Sequence, residues 1–237
     1  MNVMITGASR GIGFETVKYF ARQPDMNVFA LSRNKAALGR LATECAGLNK
    51  TSVVHPVAID LDQFINDPAT LKGKIPASGF HLDILINNAG FLINKPFSEI
   101  SLDEAGEMFR INCYAPAMLI RYFLPYMGIK STTHVVNISS MGGYQGSKKF
   151  AGLSWYSASK AALANLTECL DEEFGSKNIV FNCLALGSVQ TEMLSAAFPG
   201  YKAPLKSNEM AEFVGHFALT AHKFMRGKII PVSLTNP

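Results

Sequence analysis

The sequence predicts an α/β fold built on a doubly wound, mostly parallel sheet of seven strands with helices on both faces. Seven short runs rich in Val, Ile and Leu recur along the 237-residue chain, and they show little polar alternation. Such runs are typical of strands that are covered on both faces, as in a parallel sheet. The segments between the runs are mostly long enough for a crossover helix, which is the βαβ pattern.

The seven predicted strands use the whole length of the chain. No linker, internal repeat or low-complexity tract separates them, so we predict a single domain over residues 1–237. With 48% hydrophobic residues, this domain can bury a substantial core. In chain order, the predicted strands are NVMIT (2–6), NVFALS (27–32), SVVHPVAI (52–59), DILIN (83–87), HVVNIS (134–139), IVFNCLAL (179–186) and KIIPV (228–232).

Composition argues against nucleic-acid, membrane and metal binding. The formal charge is only +4, and Lys148 and Lys149 form a solvated loop pair, so we expect no nucleic-acid partner. No run of 18 apolar residues predicts a membrane span, and the first apolar run is too short for a signal peptide. The four cysteines and five histidines are scattered, which predicts no metal site and a reducing, cytoplasmic location.

A glycine-rich turn, TGASRGIG (6–13), follows the first predicted strand and opens a helix whose apolar face includes Phe14, Val17 and Phe20. Glycines keep such a turn tight and let the backbone approach a pyrophosphate, which then lies at the N-terminus of the helix. Between a strand and a helix, this pattern predicts dinucleotide binding. The turn residues assigned to the cofactor are Gly7, Ser9, Arg10, Gly11, Ile12 and Gly13.

The end of the second predicted strand bears on which dinucleotide binds. An acidic residue there would bind the ribose 2′-hydroxyl and repel a 2′-phosphate, but the chain reads Leu31-Ser32-Arg33. Arg33, with Arg10 from the glycine turn, can pair with a phosphate through charge-assisted hydrogen bonds. We therefore favour NADP(H) as the cofactor, with NAD(H) as the alternative. The explanation that needs no cofactor is that Arg10 and Arg33 are two ordinary surface arginines.

Two further segments place polar groups near this turn. LDILINNAG (82–90) predicts a strand that ends in side-chain amides, so Asn88 and Gly90 are candidate cofactor contacts. Asp60, after the third strand, either faces the adenine or caps the next helix. In SWYSASKAAL (154–163), Tyr156 and Lys160 are four residues apart and share one helix face, while the small residues between them allow close packing.

Taken together and in order, four elements resemble the short-chain dehydrogenase/reductase family in its short single-domain form. They are TGASRGIG, NNAG (87–90), the NISS segment that ends at Ser140, and Tyr156 with Lys160 four residues later. The resemblance spans nearly the whole chain and implies a Rossmann-like fold. It also implies an NADP(H)-dependent oxidoreductase that interconverts a carbonyl and a secondary alcohol, with a small-molecule substrate.

The resemblance assigns roles residue by residue. Tyr156 matches the catalytic acid/base, and Lys160 matches the lysine that holds the nicotinamide ribose and lowers the pKa of the tyrosine. Ser140 matches the serine that binds the substrate oxygen, and Asn112 matches the asparagine that supports the site and a proton-relay water. Cofactor contacts are implied for Gly7, Gly11, Gly13, Asn88, Gly187 and Thr191.

The physical chemistry agrees with the acid/base role. A phenol has a pKa of about 10 and is a poor base at neutral pH. A neighbouring ammonium, joined by a positive nicotinamide ring when the cofactor is oxidised, favours the phenolate and brings the pKa closer to the operating pH, where acid/base catalysis is efficient. We therefore expect the pKa of Tyr156 to be lowered by Lys160.

The chain departs from the family pattern in two places. Leu186 stands where the family commonly has a proline, and proline would restrict the turn before Gly187. The interval from Ser140 to Tyr156 is longer than usual, and its Tyr144, Leu153 and Trp155 are either pocket walls or core.

A variable segment around 188–210 lies where the family keeps its substrate lid. Its Met193, Leu194 and Phe198 suit an apolar ligand. Both this segment and the lengthened interval predict an apolar pocket, but neither identifies the substrate.

Two other functions remain open at this point. A catalytically silent dinucleotide-binding sensor or interaction module would share the glycine turn, and Leu186 with the lengthened loop is its support. A methyltransferase would also share the turn, but it usually needs an acid at the end of the second strand. By analogy with the family, we expect a homodimer or homotetramer formed through the long central helices.

Overall fold

A computed structural model describes residues 1–76 and 79–234 of the chain. Seven strands form one sheet in which every neighbouring pair is parallel. The predicted α/β class and the parallel sheet are therefore confirmed. The sheet strands are β1 (Asn2–Thr6), β2 (Asn27–Ser32), β3 (Val53–Ala58), β4 (Ile84–Asn87), β5 (Thr133–Ser140), β6 (Ile179–Leu186) and β9 (Lys228–Val232). Between β6 and β9 lie two short strands, β7 (Val189–Gln190) and β8 (Leu205–Lys206).

The strand order creates a crevice next to the glycine turn. The order is β3-β2-β1-β4-β5-β6-β9, so the chain first builds outward from β1 on one side and then returns to its other side with β4. Ligands of open α/β sheets bind at such a reversal, beyond the carboxyl ends of the strands. Here the reversal brings the residues after β1 beside those after β4.

Helices cover both faces of the sheet. They are α1 (Gly11–Arg22), α2 (Lys35–Cys45), α3 (Leu61–Asn66), α4 (Leu102–Phe109), α5 (Ala115–Phe123), α6 (Ser154–Glu173), α7 (Glu192–Ala197) and α8 (Ser207–Thr220). One core cluster combines α1, α2 and α8 with the sheet and includes Phe20, Leu41 and Val214. The other includes Phe64 of α3 and Phe123 of α5. Every sheet strand except the edges is thus buried on both sides, which explains its unbroken apolar sequence.

The predicted lid segment, residues 188–210, forms a small substructure of its own. The two short strands β7 and β8 pair in parallel and flank α7. Gln190 holds this unit together: its side chain donates to Ser195 Oγ at 3.0 Å and accepts from the Ala203 N–H at 2.9 Å. Among the described residues, no helix is long and apolar enough to cross a membrane.

Candidate active site

The glycine turn after β1 has the backbone geometry that its sequence predicts. Gly7 and Gly11 have φ angles of +69° and +58°, which favour glycine. A Cβ on Gly7 would lie 2.9 Å from Ala89 Cα, and one on Gly13 would lie 2.5 Å from the Gly7 carbonyl oxygen. These distances leave no room for a side chain. The turn therefore presents bare backbone at the start of α1.

Asn88 and Thr6 fix this turn to the end of β4. The Asn88 side chain donates to the Thr6 carbonyl at 2.9 Å. In return, Thr6 Oγ1 accepts from the backbone N–H groups of Asn88 and Ala89 at 3.0 and 2.9 Å. Asn88, predicted as a cofactor contact, thus uses its amide group to hold the glycine turn. Sequence reasoning missed Thr6, although its position directly before Gly7 was a signal.

A cleft of about 670 Å³ opens in front of the α1 N-terminus. Arg10 occupies the N-cap position without a side-chain cap, so its helix lacks the usual side-chain acceptor for the first N–H groups. Glycine backbone, free helix N–H groups and a positive dipole are the features that bind a diphosphate. The residues present therefore fit a dinucleotide. The cleft is lined by Ser9, Arg10, Gly11, Phe14, Glu15, Gln190, Thr191, Glu192, Ser195 and Ser207.

Of the other cofactor candidates, Arg10 and Thr191 line this cleft, Arg33 follows β2, and Asp60 precedes α3. Arg10 and Arg33 are both exposed, and within residues 1–76 and 79–234 neither makes an ion pair or a side-chain hydrogen bond. Asp60 accepts from the Asp62 N–H at 3.0 Å and caps α3, which is one of its two predicted roles. Thr191 caps α7 through the Leu194 N–H. Its methyl carbon lies 3.3 Å from where a Cβ on Gly11 would be.

Tyr156 and Ser140 meet at the carboxyl end of β5. Ser140 is the last residue of β5, and Tyr156 is in the first turn of α6. The Ser140 hydroxyl is near enough to the Tyr156 phenol to favour its ionised form, and it also accepts from the Gly142 N–H at 3.2 Å. Close packing of the connecting loop brings them together: Gly142 and Gly143 lie against α6, and a Cβ on Gly143 would be 2.6 Å from the Ala161 nitrogen. Gly142 and Gly143, which lie between β5 and α6, are therefore needed for α6 to pack this closely against the end of β5.

Lys160 is buried one turn further along α6. Its ammonium donates to the Ile138 carbonyl at 2.8 Å, and Ser139 Oγ donates to the Lys160 carbonyl at 2.8 Å. Burial lowers the pKa of Lys160 from 10.5 to about 8, and the nearby thiols of Cys183 and Cys113 oppose this shift. Lys160 is therefore held against β5 through both its side-chain ammonium and its backbone carbonyl. A buried ammonium held by one carbonyl retains two N–H donors for a polar ligand.

The pKa of Tyr156 shifts in the direction opposite to our expectation from the sequence. Burial raises the pKa of this phenol above 10.0, and the interaction with the Ser140 hydroxyl only partly offsets the rise. The expected lowering by Lys160 is absent because desolvation of the phenolate dominates and the ammonium is bonded to Ile138. In this structure, Tyr156 is a protonated phenol at neutral pH.

Asn112 lies in a π-helical turn, Arg110–Tyr114, that joins α4 to α5. Its side chain pairs with the backbone of Phe91, accepting from the N–H and donating to the carbonyl, each at 2.8 Å. It also donates to Ser159 Oγ at 2.9 Å, and Ser159 donates to the Tyr156 carbonyl at 2.7 Å. Asn112 thus connects the loop after β4 to α6. A π-turn is a frequent feature of functional sites, but no residue pattern in the sequence predicted this one.

Gly90 completes the junction between these residues. A Cβ at this position would lie 3.5 Å from both Asn112 Oδ1 and Lys160 Nζ.

At the end of β6, Leu186 is buried and the Gly187 N–H donates to the Val232 carbonyl at 2.8 Å. The turn after β6 is therefore held by β9 although proline is replaced by leucine.

The lengthened loop before α6 contributes core as well as surface. Leu153 is buried, whereas Tyr144 and Trp155 are half-buried. Trp155 stacks on Phe97, with ring centroids 6.0 Å apart, and meets the edge of Phe109 at 6.4 Å. These contacts place the Trp155 ring in an aromatic cluster with the turn before α4 and the last residue of α4. Of the three predicted wall residues, Leu153 is the one that packs as core.

Comparison with known proteins agrees with the fold and the motifs. The family model for short chain dehydrogenases matches residues 1–202. A fatty acyl-CoA reductase of Mycobacterium tuberculosis is 32% identical over 221 residues, which cover 90% of this chain and 71% of the relative.

Two solved structures have a closely similar fold. A putative NAD(P) dependent gluconate 5-dehydrogenase from Beutenbergia cavernae, with bound NADP, has a TM-score of 0.83 at 26% identity; the match covers 98% of this chain and 94% of that one. A 3-oxoacyl-[acyl-carrier protein] reductase from Brucella melitensis, with bound NAD, has a TM-score of 0.82 at 28% identity and coverages of 98% and 88%.

The fold is of the doubly wound α/β class. Together with the glycine turn and the helix that carries Tyr156 and Lys160, it is typical of an oxidoreductase. With the match over residues 1–202, the chain belongs to the short-chain dehydrogenase/reductase family. This confirms the resemblance from which the site residues were assigned.

Proposed function

We propose that the protein is an NADP(H)-dependent reductase that converts a carbonyl to a secondary alcohol, or catalyses the reverse oxidation. The observation that carries the proposal is that the Ser140 hydroxyl lies beside the Tyr156 phenol, with the buried Lys160 one turn away on the same helix. Asn112 connects this group to the loop after β4. Asn112, Ser140, Tyr156 and Lys160 would then act together as the catalytic set.

The cofactor preference is supported by charge. Arg10 lines the cleft at the α1 N-terminus, Arg33 is exposed directly after β2, and Ser32-Arg33 provides no carboxylate to repel a 2′-phosphate. The neighbours described above contain NADP or NAD, so the preference for NADP(H) is our inference from this chain's arginines. Gly7, Gly11, Gly13 and the N-terminus of α1 would hold the diphosphate, and Lys160 would bind the nicotinamide ribose.

The chemistry follows from the protonation states. A bound nicotinamide dinucleotide supplies hydride to the carbonyl carbon in reduction and accepts it in oxidation. Tyr156 would donate its proton to the carbonyl oxygen, and its raised pKa keeps that proton available at neutral pH. Ser140 would hydrogen-bond the same oxygen as negative charge develops on it.

The experiment is NADPH oxidation by the purified protein against ketones, aldehydes, quinones and 3-oxoacyl thioesters, with NADH in parallel. The thioesters are included because two relatives are named as acyl reductases. We expect turnover of at least one class, and we expect Tyr156→Phe to reduce kcat at least about 100-fold because general acid catalysis contributes that much. Tyr122→Phe, in the aromatic core beside Phe64, is the matched control and should retain activity.

Full turnover by Tyr156→Phe would show that the acid/base assignment is wrong. Tight NADPH binding without reduction of any compound would instead support the alternative, a catalytically silent dinucleotide-binding module.

A further inference from the structure

Asn94 lies where three segments meet: the loop after β4, the lid segment and the loop that leads into α6. Its side-chain amide donates a hydrogen bond of 2.8 Å to the carbonyl of Ala197, which is 103 residues away in the chain. Ala197 is the last residue of α7, the helix of the lid segment. This hydrogen bond therefore joins the loop after β4 directly to the lid.

The same loop also contacts the segment that leads into α6. The Lys95 N–H donates to the Gly152 carbonyl at 3.2 Å. Gly152 has a φ of +82°, and a Cβ there would overlap the side-chain oxygen of Asn94. Both facts restrict position 152 to glycine. Two residues further on, α6 begins, and it carries Tyr156.

The loop that carries Asn94 is itself held in place by the first turn of α4. The Lys95 ammonium pairs with Glu104, and the Glu104 carboxylate accepts from the Ser101 N–H in the capping box of α4. On the other side, all six residues of α7 are half-buried or exposed. A helix with so little buried surface opens easily, so one hydrogen bond to a fixed loop changes its closed population measurably.

We propose that Asn94 is a positioning residue that latches the lid segment to the loops before α4 and α6, across the substrate side of the pocket. The inference rests on the proposed function only in treating the space between these segments as the substrate site. Asn94 acts through the lid and touches none of the reacting groups. Loss of the latch should therefore raise KM for substrate while kcat stays within about twofold, since lid closure governs substrate retention.

The direct test is hydrogen–deuterium exchange of the full chain, alone and with saturating NADP⁺. Asn94→Asp keeps the size of the side chain and removes its N–H donor, and Asn94→Ser is too short to reach Ala197. Because Asn94 is exposed, both variants should fold, and their melting temperatures check this. We expect amide exchange over residues 195–198 to rise about two- to tenfold, the effect of losing one hydrogen bond.

Two controls distinguish the loss of the Asn94 hydrogen bond from a general change in amide exchange across the protein. Exchange in the buried residues of α8, such as Val214, should stay the same in both variants. Asn165→Asp introduces the same charge at an exposed site on α6 and should leave the exchange of α7 unchanged. Wild-type exchange over 195–198 in both folded Asn94 variants would overturn the proposal.

Failure of the latch and failure of the proposed function give different results. If the wild-type chain neither binds NADPH nor reduces a carbonyl, the proposed function is wrong, and the exchange comparison still reports on the lid. If a substrate is found and the Asn94 variants lose kcat without a rise in KM, the positioning role is wrong although the enzyme assignment stands.

Discussion

Arg33 is the residue at which a single side chain should decide between two cofactors. It follows β2, is exposed, and stands where an acid would select NAD(H). We predict that Arg33→Ala weakens NADPH binding about tenfold to a hundredfold, the effect of one charge-assisted hydrogen bond, and leaves NADH binding nearly unchanged. Fluorescence titration with each dinucleotide at low and high salt measures this.

The matched control is Arg40→Ala, which removes an exposed guanidinium from α2. It should change neither affinity. Equal losses for NADPH and NADH in Arg33→Ala would mean that Arg33 contributes general electrostatic attraction and does not recognise the 2′-phosphate.

At the scale of elements, Asp171 near the end of α6 fastens this helix to β6 and to the turn before β9. Its carboxylate accepts from the Phe181 N–H at 3.0 Å and from Arg226 Nε at 2.9 Å. We predict that Asp171→Ala lowers the free energy of unfolding by about 2–3 kcal/mol, because a buried N–H loses its acceptor. The half-exposed Arg226 can turn to solvent, which limits the loss.

Asp171→Asn is the comparison for this prediction. It retains one oxygen that can accept from the Phe181 N–H but loses the charge and the second acceptor oxygen that faces Arg226, so we expect less than half of the effect in urea denaturation. Equal destabilisation by the two variants would assign the stability to the ion pair with Arg226.

At the scale of the whole molecule, we predict that acid destabilises the fold through His134. This buried ring bonds the Ala218 carbonyl at 2.8 Å and the Asn182 side-chain amide at 3.0 Å, which connects α8 to β5 and β6. Burial lowers the pKa of His134 from 6.5 to about 4, and the adjacent His222 contributes to the shift. Between these values, the unfolded chain binds a proton that the folded chain does not. Stability is therefore present above pH 6.5 and is lost as the pH falls toward 4.

The size of this loss is on the order of 2–3 kcal/mol by pH 4. Urea unfolding at pH 7, 5.5 and 4.5 measures it. His134→Leu should be less stable than the wild type at pH 7, because two buried partners lose their hydrogen bonds, but its stability should fall less on acidification. His216→Leu, on the exposed face of α8, should retain the wild-type pH dependence. If the free energy of unfolding of His134→Leu fell with pH as steeply as that of the wild type, the prediction would be wrong.

The expected homodimer or homotetramer stays a prediction at this scale. Exposed apolar side chains such as Leu102 and Phe97 lie on or next to α4. Light scattering coupled to size-exclusion chromatography determines the assembly directly.

The sequence by itself determined the strands, the sheet class and the family. Strands such as β1, β2 and β6 occur at their predicted residues, because a doubly covered parallel strand must be apolar throughout. The glycine turn was equally readable, since its backbone conformation and its close contact with Ala89 exclude other residues. These features depend on local chemistry, which the sequence contains directly.

Tertiary structure alone decided how the site residues are supported. The π-turn at Asn112, the use of Asn88 to hold Gly7, and the contact of Asn94 with Ala197 each join segments that are distant in sequence. The pKa of Tyr156 was also decided there, because burial outweighed the nearby ammonium and raised it. Desolvation and long-range hydrogen bonds depend on which segments meet in space, and no spacing within one segment encodes that.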